Sequence, residues 1–224
     1  MTMQGYSTVD NEGQNSFVKR EFTTLAPYYN VMALPIAGLR EKVVDLANTK
    51  AGAKILDVAT GTGKQAFAFA KSGYDVVGVD LTEAMLRRAI QENIYRNLSF
   101  EIADATQLPF EDDRFDVACI SFALHLMPLP IGKRVLAEMG RVTRRDGLIM
   151  IVDATLPKRG ILRALLLTFM KFYGNEHLSH FMKSDLAVTL RESNIQVERE
   201  LPVLWGVGKI IKGSPVQKET WREA

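Results

Sequence analysis

The sequence predicts an α/β protein: a doubly wound, Rossmann-like, mostly parallel seven-stranded sheet with a closing antiparallel pair. Three observations carry that prediction. Short apolar runs alternate with helix-period segments from Lys54 to Val152, and strands separated by single helices imply right-handed crossovers and parallel pairing. The run Leu148–Val152 is near-continuously apolar, as suits a parallel strand buried on both faces. Two final strand-like runs, Ile195–Leu204 and Val207–Ile211, are joined only across Trp205-Gly206. So short a connection requires an antiparallel pair.

The elements follow in order. Residues 1–15 are polar and glycine-containing, a flexible leader. From Phe17 to Asn48 apolar residues recur at helical spacing, which predicts two short helices broken near Pro27 and Pro35. Ile55–Ala59 is the first strand, ending in Thr60-Gly61-Thr62-Gly63, and a helix with Ala66, Phe67, Phe69 and Ala70 runs to Ser72-Gly73. Asp75–Asp80 is the second strand. Thr82–Arg96 is a helix capped by Thr82, with Ala84, Met85, Ala89 and Ile90 facing inward. Leu98–Ala103 and Phe115–Ser121 are the third and fourth strands, Ile131–Val142 a helix, and Leu148–Val152 the fifth strand. Ile161–Tyr173 and Ser184–Glu192, the latter capped by Ser184, are helices before the closing pair. The chain divides as 1–50, leader and flap helices; 51–157, a ligand-binding core; and 158–224, a cap helix and closing strands. All three form a single domain.

The chain has 224 residues, 47% of them apolar and 24% charged, with a net charge of +2. That apolar fraction supports a sizeable core and excludes general disorder. One cysteine, Cys119, excludes an internal disulfide framework and a multi-cysteine zinc site; it lies within a strand and reads as a small buried residue. The charge is uneven: residues 51–157 carry a net −2 and residues 158–224 a net +4, thinly spread. Such a distribution does not make a nucleic-acid patch, but it leaves weak attraction to an anionic surface open. No apolar run is long enough to span a bilayer and no h-region opens the sequence, so a cytoplasmic protein is expected, with peripheral membrane contact left open.

The chemistry begins at Asp57-Val58-Ala59-Thr60-Gly61-Thr62-Gly63-Lys64. A glycine turn between strand and helix lets backbone approach a ligand closely. A P-loop is rejected, because Val58 stands where its first glycine belongs and Gln65 where its hydroxyl belongs. A dinucleotide site is satisfied literally by Gly61, Gly63 and Ala66. Against it, Asp57 would set a carboxylate beside the pyrophosphate, Asp104 adds a second acid after the third strand, and no second run of βαβ units follows. S-adenosylmethionine suits all three. Its amino group and sulfonium are cationic and favour Asp57, its ribose diol suits Asp80, and its adenine amino group suits Asp104.

Ile55-Leu56-Asp57-Val58-Ala59-Thr60-Gly61-Thr62-Gly63, Val77-Gly78-Val79-Asp80, and Ala103-Asp104 through Phe115-Asp116-Val117 resemble class I S-adenosylmethionine-dependent methyltransferases. Within that class the chain resembles the ubiquinone/menaquinone-biosynthesis methyltransferase family. Phe22 to Met32, with Tyr28 and Tyr29, is similar to the family's lead-in, and Ile120–Leu124 to its fourth-strand segment. The resemblance runs from about residue 22 to 154. It implies cofactor contacts at Asp57, Ala59, Gly61, Thr62, Gly63, Asp80, Leu81, Asp104, Ala105 and Ser121, with no metal. Here Ala66 replaces a common hydroxyl residue, His125 a common arginine, and Asp153 a glutamate. Arg141–Gly147 replaces the usual Arg-Val-Leu-Lys-Pro-Gly-Gly.

The expected function is methyl transfer to a small apolar or lipid-like acceptor of quinone or phospholipid type. A nicotinamide oxidoreductase and a non-catalytic S-adenosylmethionine-binding protein are the alternatives. If the acceptor must lose a proton, His125 is the first candidate base, with Asp153 and Tyr28 behind it. His177 and His180 stand three apart with no third ligand nearby, which reads as a solvated loop. Ile161–Tyr173 is apolar around most of its circumference. A buried helix, a substrate lid and a membrane contact all fit that pattern.

Overall fold

The computed structural model describes residues 37–173, 181–182 and 186–216. The leader, Tyr28 and the surrounding lead-in, Ser184, and both His177 and His180 lie outside them.

The elements are α1 (Ala37–Ala47), β1 (Lys54–Val58), α2 (Lys64–Lys71), β2 (Asp75–Asp80), α3 (Glu83–Glu92), β3 (Leu98–Ile102) and β4 (Phe115–Ser121). Then come α4 (Leu129–Val142), β5 (Thr143–Ala154), α5 (Ile161–Tyr173), α6 (Leu186–Glu192), β6 (Ile195–Val203) and β7 (Gly208–Pro215). Single 3₁₀ turns occupy Leu124–Leu126 and Leu204–Gly206. One sheet of seven strands runs β3-β2-β1-β4-β5-β7-β6. The first five are parallel, and β7 joins antiparallel to both β5 and β6.

Period-two alternation builds a core on each face. Leu56, Val58, Ala118, Ile120, Ile149 and Ile151 turn to one side, where α4 supplies Val135, Leu136 and Met139. Ile55, Val117, Cys119, Met150 and Val152 turn to the other, against α1 and α2, where Val43, Ala47, Ala66 and Phe69 are buried. Cys119 is buried, as its place in a strand predicts. The order in which successive strands are added reverses between the parallel neighbours β1 and β4, which opens a crevice at their carboxyl ends.

Two element boundaries and one inward-facing position differ most from expectation, each for a local reason. Helix α3 stops at Glu92 because Asn93 turns extended and uses its side chain twice, accepting from Tyr95 N at 2.9 Å and donating to Leu98 O at 3.1 Å. Ile90, expected inward, is 58% exposed, and Leu86 takes the inner position. Strand β5 begins at Thr143 rather than Leu148, because Thr143 pairs with Phe115 across an irregularity in the β4–β5 register.

Candidate active site

The site is built at the carboxyl edge of β1, β2, β4 and β5. The backbone leaves β1 through Ala59 at φ 52° and leaves β4 through Phe122 at φ 53°. Both are non-glycine residues in the left-handed region, a strained conformation that concentrates at functional sites. Gly61 and Gly63 follow at φ 57° and 77°, and Thr60 N donates to Val79 O, stitching the turn to β2.

Asp80 holds this turn from the end of β2. Its Oδ2 accepts from Gly61 N and its Oδ1 from Thr82 N, each at 2.8 Å. Thr82 is therefore held by Asp80 and makes no side-chain cap to α3. Burial pushes the Asp80 carboxyl up from its ordinary value, and these donors oppose the rise. Gly63 does a different task from Gly61. A Cβ there would stand 2.7 Å from the Phe100 ring and 3.1 Å from the Ala89 Cβ, so this glycine admits the close packing of α2 on its neighbours.

Asp57 is 1% exposed. Its Oδ2 accepts from the Thr60 hydroxyl at 2.5 Å. Burial pushes its carboxyl up to about 7, the Thr60 hydroxyl and the Ala66 amide pull against that, and the Asp80 charge adds to the rise. It faces a recess lined by Leu39, Arg40, Thr60, Thr62 and Gln65. Across Ala59, Ser121 and Phe122 this recess adjoins a deeper, more apolar one of about 120 Å³. That recess is lined by Asp80, Leu81, Asp104 and Ala105 together with the apolar Leu126, Met127, Ile131 and Val135. Asp104 Oδ1 accepts from both Thr106 N (2.8 Å) and Thr106 Oγ1 (2.7 Å), a side-chain turn that fixes the loop after β3.

His125 and Asp153 meet at the end of β5. His125 Nδ1 lies 2.6 Å from Asp153 Oδ1, and the Asp153 side chain is 1% exposed against 18% for His125. A carboxylate accepts, so Nδ1 carries the proton and Nε2 is the ring's accepting nitrogen. Asp153 also accepts from Ala154 N at 2.7 Å and His125 N at 3.3 Å. The Phe181 ring lies against the imidazole, 6.3 Å between centroids.

Of the sequence candidates, the structure gathers Asp57, Ala59, Gly61, Thr62, Asp80, Leu81, Asp104, Ala105 and Ser121 around the two recesses. Gly63 packs behind them, and His125 and Asp153 form a separate pair beside them. Sequence reasoning missed the apolar wall from Leu126 to Val135, the Leu39-Arg40 contribution of α1, and Phe122. The wall carries a helical apolar period that reads equally well as core. Among the described residues, no cluster of three or more His, Cys, Asp or Glu could hold a metal.

A methyltransferase-domain family model matches residues 55–147. The chain is 36% identical over 173 residues to the ubiquinone/menaquinone biosynthesis C-methyltransferase UbiE of Dinoroseobacter shibae, covering 71% of this chain and 68% of that protein. It is 37% identical over 126 residues to the demethylmenaquinone methyltransferase of Renibacterium salmoninarum, covering 56% of this chain and 52% of that one. Across these relatives the match thus spans about half to two-thirds of their length. Among solved structures, a Bacillus halodurans C-125 protein designated a candidate methyltransferase superposes with a TM-score of 0.60 at 29% identity, over 72% of this chain and 71% of that one. A SAM-dependent methyltransferase of Aquifex aeolicus shares the fold with a TM-score of 0.58 at 21% identity, over 78% and 88% of the two chains.

Proposed function

The chain belongs to the class I S-adenosylmethionine-dependent methyltransferases, within the ubiquinone/menaquinone-biosynthesis methyltransferase family, and from that premise we propose that it methylates a ring carbon of a small quinol-type acceptor. The nicotinamide alternative is set aside with this membership. The donor set fits S-adenosylmethionine. Asp57 is a buried carboxyl pushed up to about 7, with the Thr60 hydroxyl as its side-chain donor among the described residues, which suits a cationic amino group and would repel a pyrophosphate. We assign the amino-acid end to Asp57, Ala59 and Thr62, the glycine turn to Gly61 with Gly63 packing beneath it, the ribose to Asp80 and Leu81, adenine to Asp104 and Ala105, and the floor to Ser121. Bound S-adenosylmethionine supplies an electrophilic methyl carbon on a sulfonium.

The chain's own contribution is positioning, exclusion of water and proton transfer. Carbon methylation of a quinol requires that a proton leave the acceptor. His125 Nε2 takes it, and the buried Asp153 fixes the ring's tautomer and steadies the imidazolium that results. The observation that carries this reading is the 2.6 Å contact between His125 Nδ1 and Asp153 Oδ1. Tyr28, the third candidate base, keeps its place in the proposal on sequence alone.

The test is labelled-methyl transfer by the purified chain to a reduced, short-chain demethylated naphthoquinone or benzoquinone, with phosphatidylethanolamine as the competing acceptor. Label is expected in the quinone, on carbon. A chain that binds S-adenosylhomocysteine yet labels only phospholipid, or neither acceptor, would sink the quinol assignment and leave the family membership intact.

A further inference from the structure

Among its described residues, helix α5 carries an apolar stripe on its exposed side as well as on its inner one. Leu166 and Leu167 face inward and pack with Leu156 and Met182. Ile161, Ala164, Leu165 and Thr168 recur at the i, i+3, i+4, i+7 spacing of one helix stripe, and all four are exposed, Ile161 at 81% and Leu165 at 62%. Thr168 turns its hydroxyl back to Ala164 O at 2.9 Å, so the stripe presents methyl groups along its length. A second apolar group stands on a turn that packs against the segment leading into α5. Trp205 is 93% exposed and held at φ 53° within the β6–β7 turn. That turn rests on the strand-to-helix connection before α5: Thr155 N donates to Val207 O at 2.8 Å, and a Cβ at Gly206 would touch Pro157 at 3.6 Å. Arg163 Nη1 donates to Pro157 O at 2.9 Å, tying the helix to the same point. Exposed Lys158 and Arg159 flank the stripe at its start.

An exposed apolar stripe, a projecting indole and a local excess of cations form the pattern of a surface that lies in a membrane interface. We propose that this face docks on an anionic lipid bilayer, with Ile161, Leu165 and Trp205 entering the head-group boundary and Lys158, Arg159 and Arg163 meeting the lipid phosphates. No helix among the described residues is long and apolar enough to cross a membrane, so the contact is on the surface. The face sits at the same carboxyl edge of β5 as Asp153. A docked molecule would therefore open its site toward the lipid. The proposal is independent of which acceptor is methylated.

The experiment is co-sedimentation of the full chain with phosphatidylcholine vesicles, with and without phosphatidylglycerol. Binding is expected only to the anionic vesicles and is expected to fall as salt shortens the screening length. Ile161→Ser with Leu165→Ser, and separately Trp205→Ser, should each lower the partition coefficient about tenfold or more. Binding of S-adenosylhomocysteine, held by the core and not by this face, should be unchanged in both. In a Trp221→Phe background, Trp205 fluorescence should shift to the blue on vesicle addition. The proposal is overturned if the wild-type chain stays in the supernatant with anionic vesicles, or if the serine variants sediment as well as wild type. It is also overturned if sedimentation equilibrium reveals a dimer that Leu165→Ser dissociates, since a second copy would then be the occupant.

Discussion

Two buried aspartates stand at the carboxyl edge of this sheet, on β1 and β5, and the sheet treats them in opposite ways. Among the described residues Asp57 draws on the Thr60 hydroxyl and the Ala66 amide, and burial still pushes its carboxyl up to about 7. Asp153 is equally buried but accepts from an imidazole and two backbone amides. A buried carboxylate short of donors is incomplete until a cation arrives, whereas a fully engaged one serves as a fixed mount. In the function proposed above, this contrast separates binding from proton transfer: the β1 acid recognises a charged ligand, and the β5 acid holds another side chain in one orientation.

The largest test falls on the β5 side. His125→Ala should lower turnover about 10²–10⁴-fold while the dissociation constant for S-adenosylhomocysteine changes less than about twofold. Asp153→Asn should follow it in kcat, by about 10²-fold or more, because an amide can present a donor to Nδ1 and favour the wrong tautomer. Equal loss of ligand affinity in either variant would erase the distinction between the two acids. On the β1 side, Asp57→Asn should weaken S-adenosylhomocysteine about 10–100-fold by calorimetry. The same change should stabilise the ligand-free chain by about 1–3 kcal/mol at pH 8 in thermal unfolding, since a buried charge is removed.

The pH dependence sharpens the same point. The Asp57 carboxyl lies at about 7 when folded, against 3.8 for the ordinary group. The folded state therefore holds a proton that the unfolded state releases. Its contribution to stability is complete below the ordinary value and is lost as pH rises from there to about 7. Ligand affinity runs the other way. Titrations with S-adenosylhomocysteine should tighten by up to about tenfold per pH unit below 7 and level off above it. Smallest of all, Thr60→Val removes the hydroxyl donor and should move that break upward by about one unit. An unmoved break would mean that the hydroxyl does not set the Asp57 proton affinity.

Much of the β1 side was legible in the sequence. Strands β2 and β4 are bounded as the apolar runs predict, and Asp57, Gly61 and Asp80 stand at strand ends where local pattern alone puts them. The β5 side was legible only as a set of candidates. His125 and Asp153 are separated by 28 positions and meet because β4 and β5 pair in register, Ser121 opposite Val152. No local period encodes that contact. Boundaries failed where side chains overrode propensity, as at Asn93, and Ile90 failed because Leu86 and Ala89 already fill the inner stripe of α3. The Leu126–Val135 wall escaped notice because a residue lining a crevice and one lining the core share the same apolar signature.

The left-handed backbone at Ala59 and Phe122 has a consequence for the rim of the crevice. β1 and β4 are neighbours in the sheet, so their ends begin about 4.8 Å apart, and the left-handed residues stand where each chain leaves its strand. Glycine at either position would relax the backbone and let the gap breathe. Keeping a Cβ at both restrains the two backbone exits, and with them the rim formed by Ala59, Ser121 and Phe122 that the two recesses share.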